Sequence, residues 1–196
     1  MRTDTTETEA RDRADMTRLA GGHDAALNDL MERHATPVFH FLCRMLNNEE
    51  DAHDLAQETF VRVFRARASF RAGDKFTAWL YTIAANLARN HFRWRTRHPT
   101  VPLDAESDTT GQTLADVLPA ATPAPHEQAL AAERAAAVRA AVQNLPEDMR
   151  AAIILCEWEE RSVVEAAAIL EATPKAVESR LYRARQILRE RLKSWL

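Results

Sequence analysis

In the stretch SVVEAAAILEATPKAVESRLYRARQ, residues 162–186, the side chains of Lys175, Glu178, Ser179, Tyr182, Arg183 and Gln186 fall at helical i, i+3, i+4, i+7 spacing. On a helix they gather into a single stripe. Cations, a hydroxyl, a phenol and an amide in that arrangement do not make or break bonds. They reach phosphate oxygens and the edges of bases. Val177, Leu181, Ala184, Leu188 and Leu192 form a second, apolar stripe, so the segment has a side to bury. Upstream, Ser162 and Glu165 have the spacing of a capping box, and Ala166, Ala167, Ile169 and Leu170 give a short helix its apolar side. Thr173 caps the next helix and Pro174 takes its first position, where a missing N–H costs nothing. A short helix, a tight turn and a longer helix with a basic outer face make a helix-turn-helix. The plain alternative is a surface hairpin whose charged face is only solvated.

A second cluster lies in FTAWLYTIAANLARNHFRWRTRH, residues 76–98. It mixes the rings of Phe76, Trp79, Tyr81, Phe92 and Trp94 with the amides Asn86 and Asn90 and the cations Arg89, Arg93, Arg95 and Arg97. Duplex readers rarely need several aromatics. Single-strand binders do, because every base has a face to stack on while cations hold the backbone. Some of these rings must be core, and Phe76 and Leu80 are the first candidates.

A third group, Asp54, Gln57, Glu58, Arg62 and Arg65, shares one side of a middle helix, opposite its apolar stripe. This is either a solvated face or a docking surface for a large partner. Metal chemistry is poorly served. Glu50 and His53 form one E-x-x-H unit, whereas a di-iron bundle needs two such units and two further inward glutamates. The chain has no phosphate loop, nucleophile elbow or H-E-x-x-H, so no catalytic residues, metal ligands or cofactor are expected. Cys43 and Cys156 lie far apart on apolar helix sides and read as buried, reduced thiols.

These groups must be held by helices. With only four glycines and clustered prolines, an all-α build is the default. Residues 1–23 read as a flexible N-terminal tail. Helical apolar faces follow at about 24–47, 49–67 and 77–95, with Pro37 expected to break or kink the first. Residues 24–98 thus suffice for one helical domain. Residues 99–126 then hold five of the eight prolines, four acids and no Lys or Arg. They read as an acidic linker with one helical turn around Gln112–Val117. Helical pattern resumes at Glu127 and runs, with a break at Leu145-Pro146, to the end, giving a second domain over 127–196. Fully extended, such a linker reaches roughly 90 Å, enough for two lobes to engage DNA two helical turns, ~70 Å, apart.

A formal net charge of −3 argues against a nucleic-acid binder only on average. Residues 174–196 carry seven Lys or Arg against two Glu, and residues 75–103 carry five Lys or Arg, two His and no acid. Two basic islands in an acidic chain suggest two contacts with a polyanion. The polar N-terminus is neither signal peptide nor anchor, and the longest weakly polar run, 76–88, is too short to span a bilayer. A soluble, cytoplasmic protein without membrane insertion is expected.

With both lobes laid out, the chain resembles the extracytoplasmic-function (ECF) sigma factors, the two-domain promoter-specificity subunits of bacterial RNA polymerase. DAHDLAQETFVRVFRA resembles the second-region helix, with its D-x-x-Q-E-x-F core at Asp54, Gln57, Glu58 and Phe60. FRAGDKFTAWLYTIAANLARNHFR resembles the minus-ten reading and melting segment. LPEDMRAAIIL, SVVEAAAIL and KAVESRLYRAR resemble the region that reads the minus-35 element. The likeness covers about 24–98 and 127–196, in the family order.

The resemblance implies roles. Asp54, Gln57 and Glu58 would face the clamp helices of the large subunit of core RNA polymerase. Trp79, Tyr81, Asn86 and Asn90, with Arg93, would hold the opened non-template strand at minus ten, and the loop from Phe70 to Phe76 would receive a flipped base. Lys175, Glu178, Ser179, Arg180, Tyr182 and Arg183 would meet minus-35 promoter DNA. The linker would thread towards the RNA exit path, and an anti-sigma factor is the implied regulatory partner. Two positions depart from the family pattern. Glu178 stands where a basic residue is common; it can accept from cytosine N4 yet repels phosphate. Glu171 stands near a frequent Gly, which argues against a strained left-handed turn there. Two other readings are a sigma-like decoy that only titrates an anti-sigma protein, and an unrelated helical enzyme. The decoy would be expected to carry a sensory domain, for which 23 leading residues are too few, and the enzyme would need a second metal half-site.

Overall fold

The computed structural model describes residues 2–71, 73–98 and 125–195, with side chains from 7 and, in the second half, from 128. All regular structure among them is helical, as the sequence implies. The linker over 99–124 and the turn expected at Gln112–Val117 lie outside the described residues. Residues 125 and 126, expected to be linker, already belong to a helix.

The N-terminus departs from expectation. Residues 1–23 were expected as a flexible tail, yet Arg2–Ala20 form helix α1, which buries Asp12, Asp15, Met16 and Leu19. Those positions make a helical stripe, but half of it is carboxylate, so no apolar period is visible in the sequence. The partners are on α2 (Ala26–Leu46). Arg33 donates to Asp12 at 3.0 Å and to Asp15 at 2.6 Å, and His34 Nε2 lies 2.9 Å from both Asp12 oxygens. The acids are thereby paired rather than merely buried, which is what makes their burial tolerable.

Helix α2 continues through Pro37 as one element rather than two. A proline there removes one hydrogen bond, to the carbonyl of Arg33, but Val38, Phe41, Leu42, Met45 and Leu46 are buried beyond it and hold the second half in place. Two asparagines then divide the chain. Asn47 adopts φ 54° to end α2, and the Asn48 side chain accepts from Asp51 N–H to start α3 (Glu49–Arg65). A 3-10 turn at Arg67–Ser69 leads towards α4 (Phe76–Arg97). Phe60, Val63, Phe76, Leu80 and Ala84 fill the core among these helices.

The second lobe comprises α5 (Pro125–Gln143), α6 (Glu147–Glu157), α7 (Val163–Ile169) and α8 (Pro174–Arg191). Its core is Ala152, Ile153, Ile154, Leu155, Ala166, Ile169, Val177 and Leu181. The two lobes pack on one another, with α6 against α2 and α7 along α4.

Asp12→Ala should test the acid stripe. It leaves Arg33 and His34 without their shared acceptor, and loss of a charge-assisted hydrogen bond in a buried site costs about 1.5–3 kcal/mol. Urea unfolding followed by circular dichroism should show that loss. Unchanged stability would mean that the pairing of Asp12 with Arg33 and His34 contributes nothing to the first lobe.

Candidate nucleic-acid interface

On α3 the apolar stripe of Ala52, Ala56, Phe60 and Val63 faces inward, which turns Asp54 and Gln57 outward and leaves Glu58 half-buried. Gln57 Nε2 lies 3.1 Å from His53 Nδ1, and Arg62 pairs with Glu58 at 2.8 Å. Val61, 39% exposed, sits on the same side, so the face has an apolar spot within a polar rim. The three acceptor residues expected on this face therefore share one accessible surface.

The residues assigned to the opened strand divide into two sets. Phe70, Phe76 and Trp79 form a three-ring cluster with centroids 5.3–6.3 Å apart. Phe76 is buried in it, beside His34, while Phe70 and Trp79 remain half-buried and edge the surface. Asn86 accepts from Arg89 at 2.8 Å; Asn90 and Arg93 are exposed further along α4. Beyond them Trp94, 54% exposed, stacks on His98. Tyr81 does not join this surface. It is 2% exposed, packs against Phe41 and donates to Glu159 at 2.6 Å. Burial, with Glu159 alongside, pushes its hydroxyl pKa well up.

The helix-turn-helix forms as the local signals require. Ser162 accepts from Glu165 N–H while the Glu165 carboxylate accepts from Ser162 N–H, which completes the capping box. Thr173 caps α8 by accepting from Ala176 N–H, with Pro174 next. Val177, Leu181 and Ala184 are buried, so Lys175, Glu178, Ser179, Tyr182, Arg183 and Gln186 all face out, Tyr182 at 66% exposure. Arg180 leaves this stripe. Its guanidinium turns back to Asp148 at 3.1 Å and is 24% exposed, so it tethers α8 to α6. Arg185 does the same through Glu157 at 2.6 Å.

Glu171 is left-handed after all, at φ 52°. The turn ends α7 with Ala172 N–H bonded to Ala167 O at 2.9 Å, a closure that puts the intervening residue in that conformation. The side chain that was expected to oppose it reaches Asn86 instead, at 3.4 Å.

The two cysteines are free and half-buried. Burial pushes the Cys43 thiol up to about 11, so little thiolate exists near neutrality.

The sequence matches the family described as Sigma-70 region 2 over residues 30–98 and that described as Sigma-70, region 4 over residues 135–188. It is 31% identical to the RNA polymerase sigma-H factor of Pseudomonas aeruginosa over 96% of this chain and 97% of the relative. It is 33% identical to the ECF RNA polymerase sigma-E factor of Haemophilus influenzae over 92% and 95%. The chain belongs to the ECF sigma factors. As such it is a DNA-binding regulator that directs promoter-specific transcription. Among solved structures, CnrH in complex with the cytosolic domain of CnrY superposes with a TM-score of 0.69 at 27% identity, covering 94% of this chain and 98% of that one. The sigma factor RpoE of Bartonella quintana, in complex with the anti-sigma factor NepR, gives 0.64 at 27% identity, covering 86% and 98%.

Within this sigma factor the two lobes meet through polar groups that sequence reading missed. Arg150 donates to Met45 O of α2 at 2.7 Å and to Gln143 O and Leu145 O of its own lobe at 2.6 and 3.1 Å. Glu159 accepts from Arg44 at 3.1 Å as well as from Tyr81. Lys75 pairs with Glu9 at 3.0 Å and Glu165 at 3.1 Å. These are lone residues separated by long stretches of chain, so no local spacing announces them.

Glu165 ties the capping box to this interface. Burial works to raise its carboxyl, but hydrogen bonds from Ser162 and Lys75 overcome that and hold it below its ordinary value of 4.5. A depressed carboxylate adds stability above its unfolded value and loses it as pH falls through the folded one. The sigma factor should therefore lose the α7 cap as pH drops below about 4.5. The Ser162→Ala variant, already about 1 kcal/mol less stable at neutral pH, should show a shallower acid dependence. Thermal melts across that range check both, and parallel acid curves would exclude the linkage.

Proposed function

We propose that Asp54, Gln57 and Glu58 dock the sigma factor on the clamp helices of the large subunit of core RNA polymerase. Phe70 and Trp79, with Asn86, Asn90 and Arg93, hold the opened non-template strand at minus ten. Phe76 backs this ring cluster from the core. Tyr81 can serve the strand only once its contact with Glu159 is released. Lys175, Glu178, Ser179, Tyr182 and Arg183 read the minus-35 element from the major groove, and Arg180 positions their helix. The observation that carries this reading is the unbroken exposed stripe of α8, set on a buried apolar stripe and fixed from behind by Arg180 and Arg185.

The protein is then a binding subunit, with polymerase supplying the chemistry. Its place of work is the cytoplasm, beside the chromosome. No helix among the described residues is long and apolar enough to cross a membrane. RpoE, a structural neighbour, was solved with an anti-sigma factor, and that supports a partner of the same kind here. The decoy reading is not favoured, because the relatives that span nearly the whole chain are themselves sigma factors.

Sequencing transcripts made in vitro by core polymerase with this protein identifies its promoters, and three variants then test the roles. Charge reversal at Asp54 and Glu58 removes acceptors meant for a cationic partner without touching the buried stripe. It should abolish assembly with core polymerase while helicity stays normal; undiminished assembly would move the docking face elsewhere.

On α8, Arg183→Ala should cost roughly 1–3 kcal/mol and relax one minus-35 position if the guanidinium reads a base. Glu178→Lys should change which base is preferred, since a carboxylate that accepts from cytosine is replaced by a donor. Selection from randomised minus-35 sequences reports both. Identical preferences and affinities would remove this helix from the groove.

A further inference from the structure

Helix α1 belongs to none of the surfaces described above, yet two of its side chains lead to the ring cluster of Phe70, Phe76 and Trp79. Asp12 holds His34, whose Nε2 lies 2.9 Å from both carboxylate oxygens. A carboxylate only accepts, so Nε2 carries the hydrogen and donates. The His34 ring then meets the Phe76 ring, with centroids 5.3 Å apart and planes tilted by 58°. Phe76 touches Phe70 at 6.2 Å and Trp79 at 6.3 Å, and those two rings lie 5.3 Å apart. A second route runs over the surface. Glu9 pairs with Lys75, the residue before Phe76, at 3.0 Å, and α1 also packs on the 3-10 turn at Arg67–Ser69, which Phe70 follows.

His34 is 7% exposed. An imidazole buried there costs desolvation that its bond to Asp12 has to offset, whereas a leucine would fill the space with no partner needed. What the imidazole adds is direction. With Nε2 aimed at two oxygens at once, the ring offers Phe76 one orientation only. Stacking on a base needs rings placed to within about 0.5 Å. Phe70 and Trp79 have solvent on one side, so their placement depends on the ring behind them.

We propose that His34 is a positioning residue for minus-ten base selection: clamped by Asp12 of α1, its ring sets Phe76 and, through it, the faces of Phe70 and Trp79 on which a base stacks. Glu9 supplies a weaker hold on the same rings through Lys75. The inference rests on the strand-binding role proposed for Phe70 and Trp79. It gives α1 a part in base selection although no residue of α1 is assigned to the strand.

The test uses holoenzyme formed from core polymerase and the full chain, on a promoter identified from its transcripts, with each minus-ten position set to all four bases. His34→Gln keeps an N–H for Asp12 but removes the ring from Phe76. His34→Tyr restores both a ring and a donor. Leu46→Ala controls for lost stability, because it opens a cavity at a buried position of α2 about 18 Å from His34. Trp79→Ala tests the strand-binding role itself.

His34→Gln should lower the discrimination between the best and second-best base at one minus-ten position by at least about threefold. His34→Tyr and Leu46→Ala should keep it, and minus-35 preference should stay the same throughout. Glu9→Gln should give a smaller loss at the same position. Its ion pair is half exposed, so the lobe does not depend on it for folding. Should His34→Gln fail to assemble with core polymerase, the Glu9→Gln result decides, and no loss there would sink the proposal. Equal losses in His34→Gln and His34→Tyr, or in His34→Gln and Leu46→Ala, would do the same. Relaxation by Trp79→Ala with none by His34→Gln would overturn the positioning role and leave the strand-binding role intact. Unchanged preference in Trp79→Ala would take the rings off the strand, and both readings would fall.

Discussion

The Arg150 guanidinium holds the two halves of this protein in one body. It gathers the carbonyls of Met45 and Gln143, in the last turns of α2 and α5, and of Leu145 in the turn before α6, and lies over the Phe92 ring at 5.3 Å. Helix ends leave their last carbonyls without intrahelical partners, and the negative end of the dipole favours a cation there. One arginine answers that need for two helices from different lobes. Burial lowers its pKa, but a guanidinium stays charged throughout the range in which proteins fold. The contact therefore persists whatever the pH. Gln143 supports it by donating to Arg44 O, so α2 ends on groups supplied by the second lobe.

This gives α2 a double duty. Its middle carries Arg33 and His34, which neutralise the acids of α1, and its last turn carries the carbonyls that Arg150 and Gln143 cap. Pro37 sits between the two and is tolerated because both flanking segments are anchored. Each lobe's interior is apolar, with Leu30, Phe41 and Leu80 in one and Ile154, Leu155 and Ile169 in the other. The buried apolar residues of the two lobes form one cluster, and hydrogen bonds and ion pairs cross the seam around it. Polar contacts contribute little net stability where water can replace them.

What could be read in the sequence was whatever has a local cause. Ser162 with Glu165 and Thr173 with Pro174 act within one helical turn, so their caps were legible, and so was the outer stripe of α8. The all-helical build and the two-lobe division followed from periodicity and proline placement. Helix α1 was not legible because Asp12 and Asp15 occupy core positions and look like surface residues until Arg33 is beside them. Arg180 was a DNA contact only by family resemblance, and its partner Asp148 is 32 positions away. The burial of Tyr81 against Glu159 was hidden for the same reason, while the left-handed Glu171 follows from the closure of α7 by Ala172 N–H on Ala167 O. Tyr81 and Glu159 are 78 positions apart, and no local window contains both.

The charge distribution joins these points. A chain of net −3 has to present basic surface to DNA without that surface being satisfied by its own acids. On α8 the problem is solved by geometry. Arg180 and Arg185 are paired on the inner side with Asp148 and Glu157, whereas Lys175 and Arg183 point away from those acids and stay exposed. On α4 the outcome is the opposite. Lys75 is already paired with Glu9 and Glu165, and Asn86 with Glu171. The stripe of α8 is thus open in the structure, whereas Lys75 and Asn86 are already engaged by carboxylates of the second lobe.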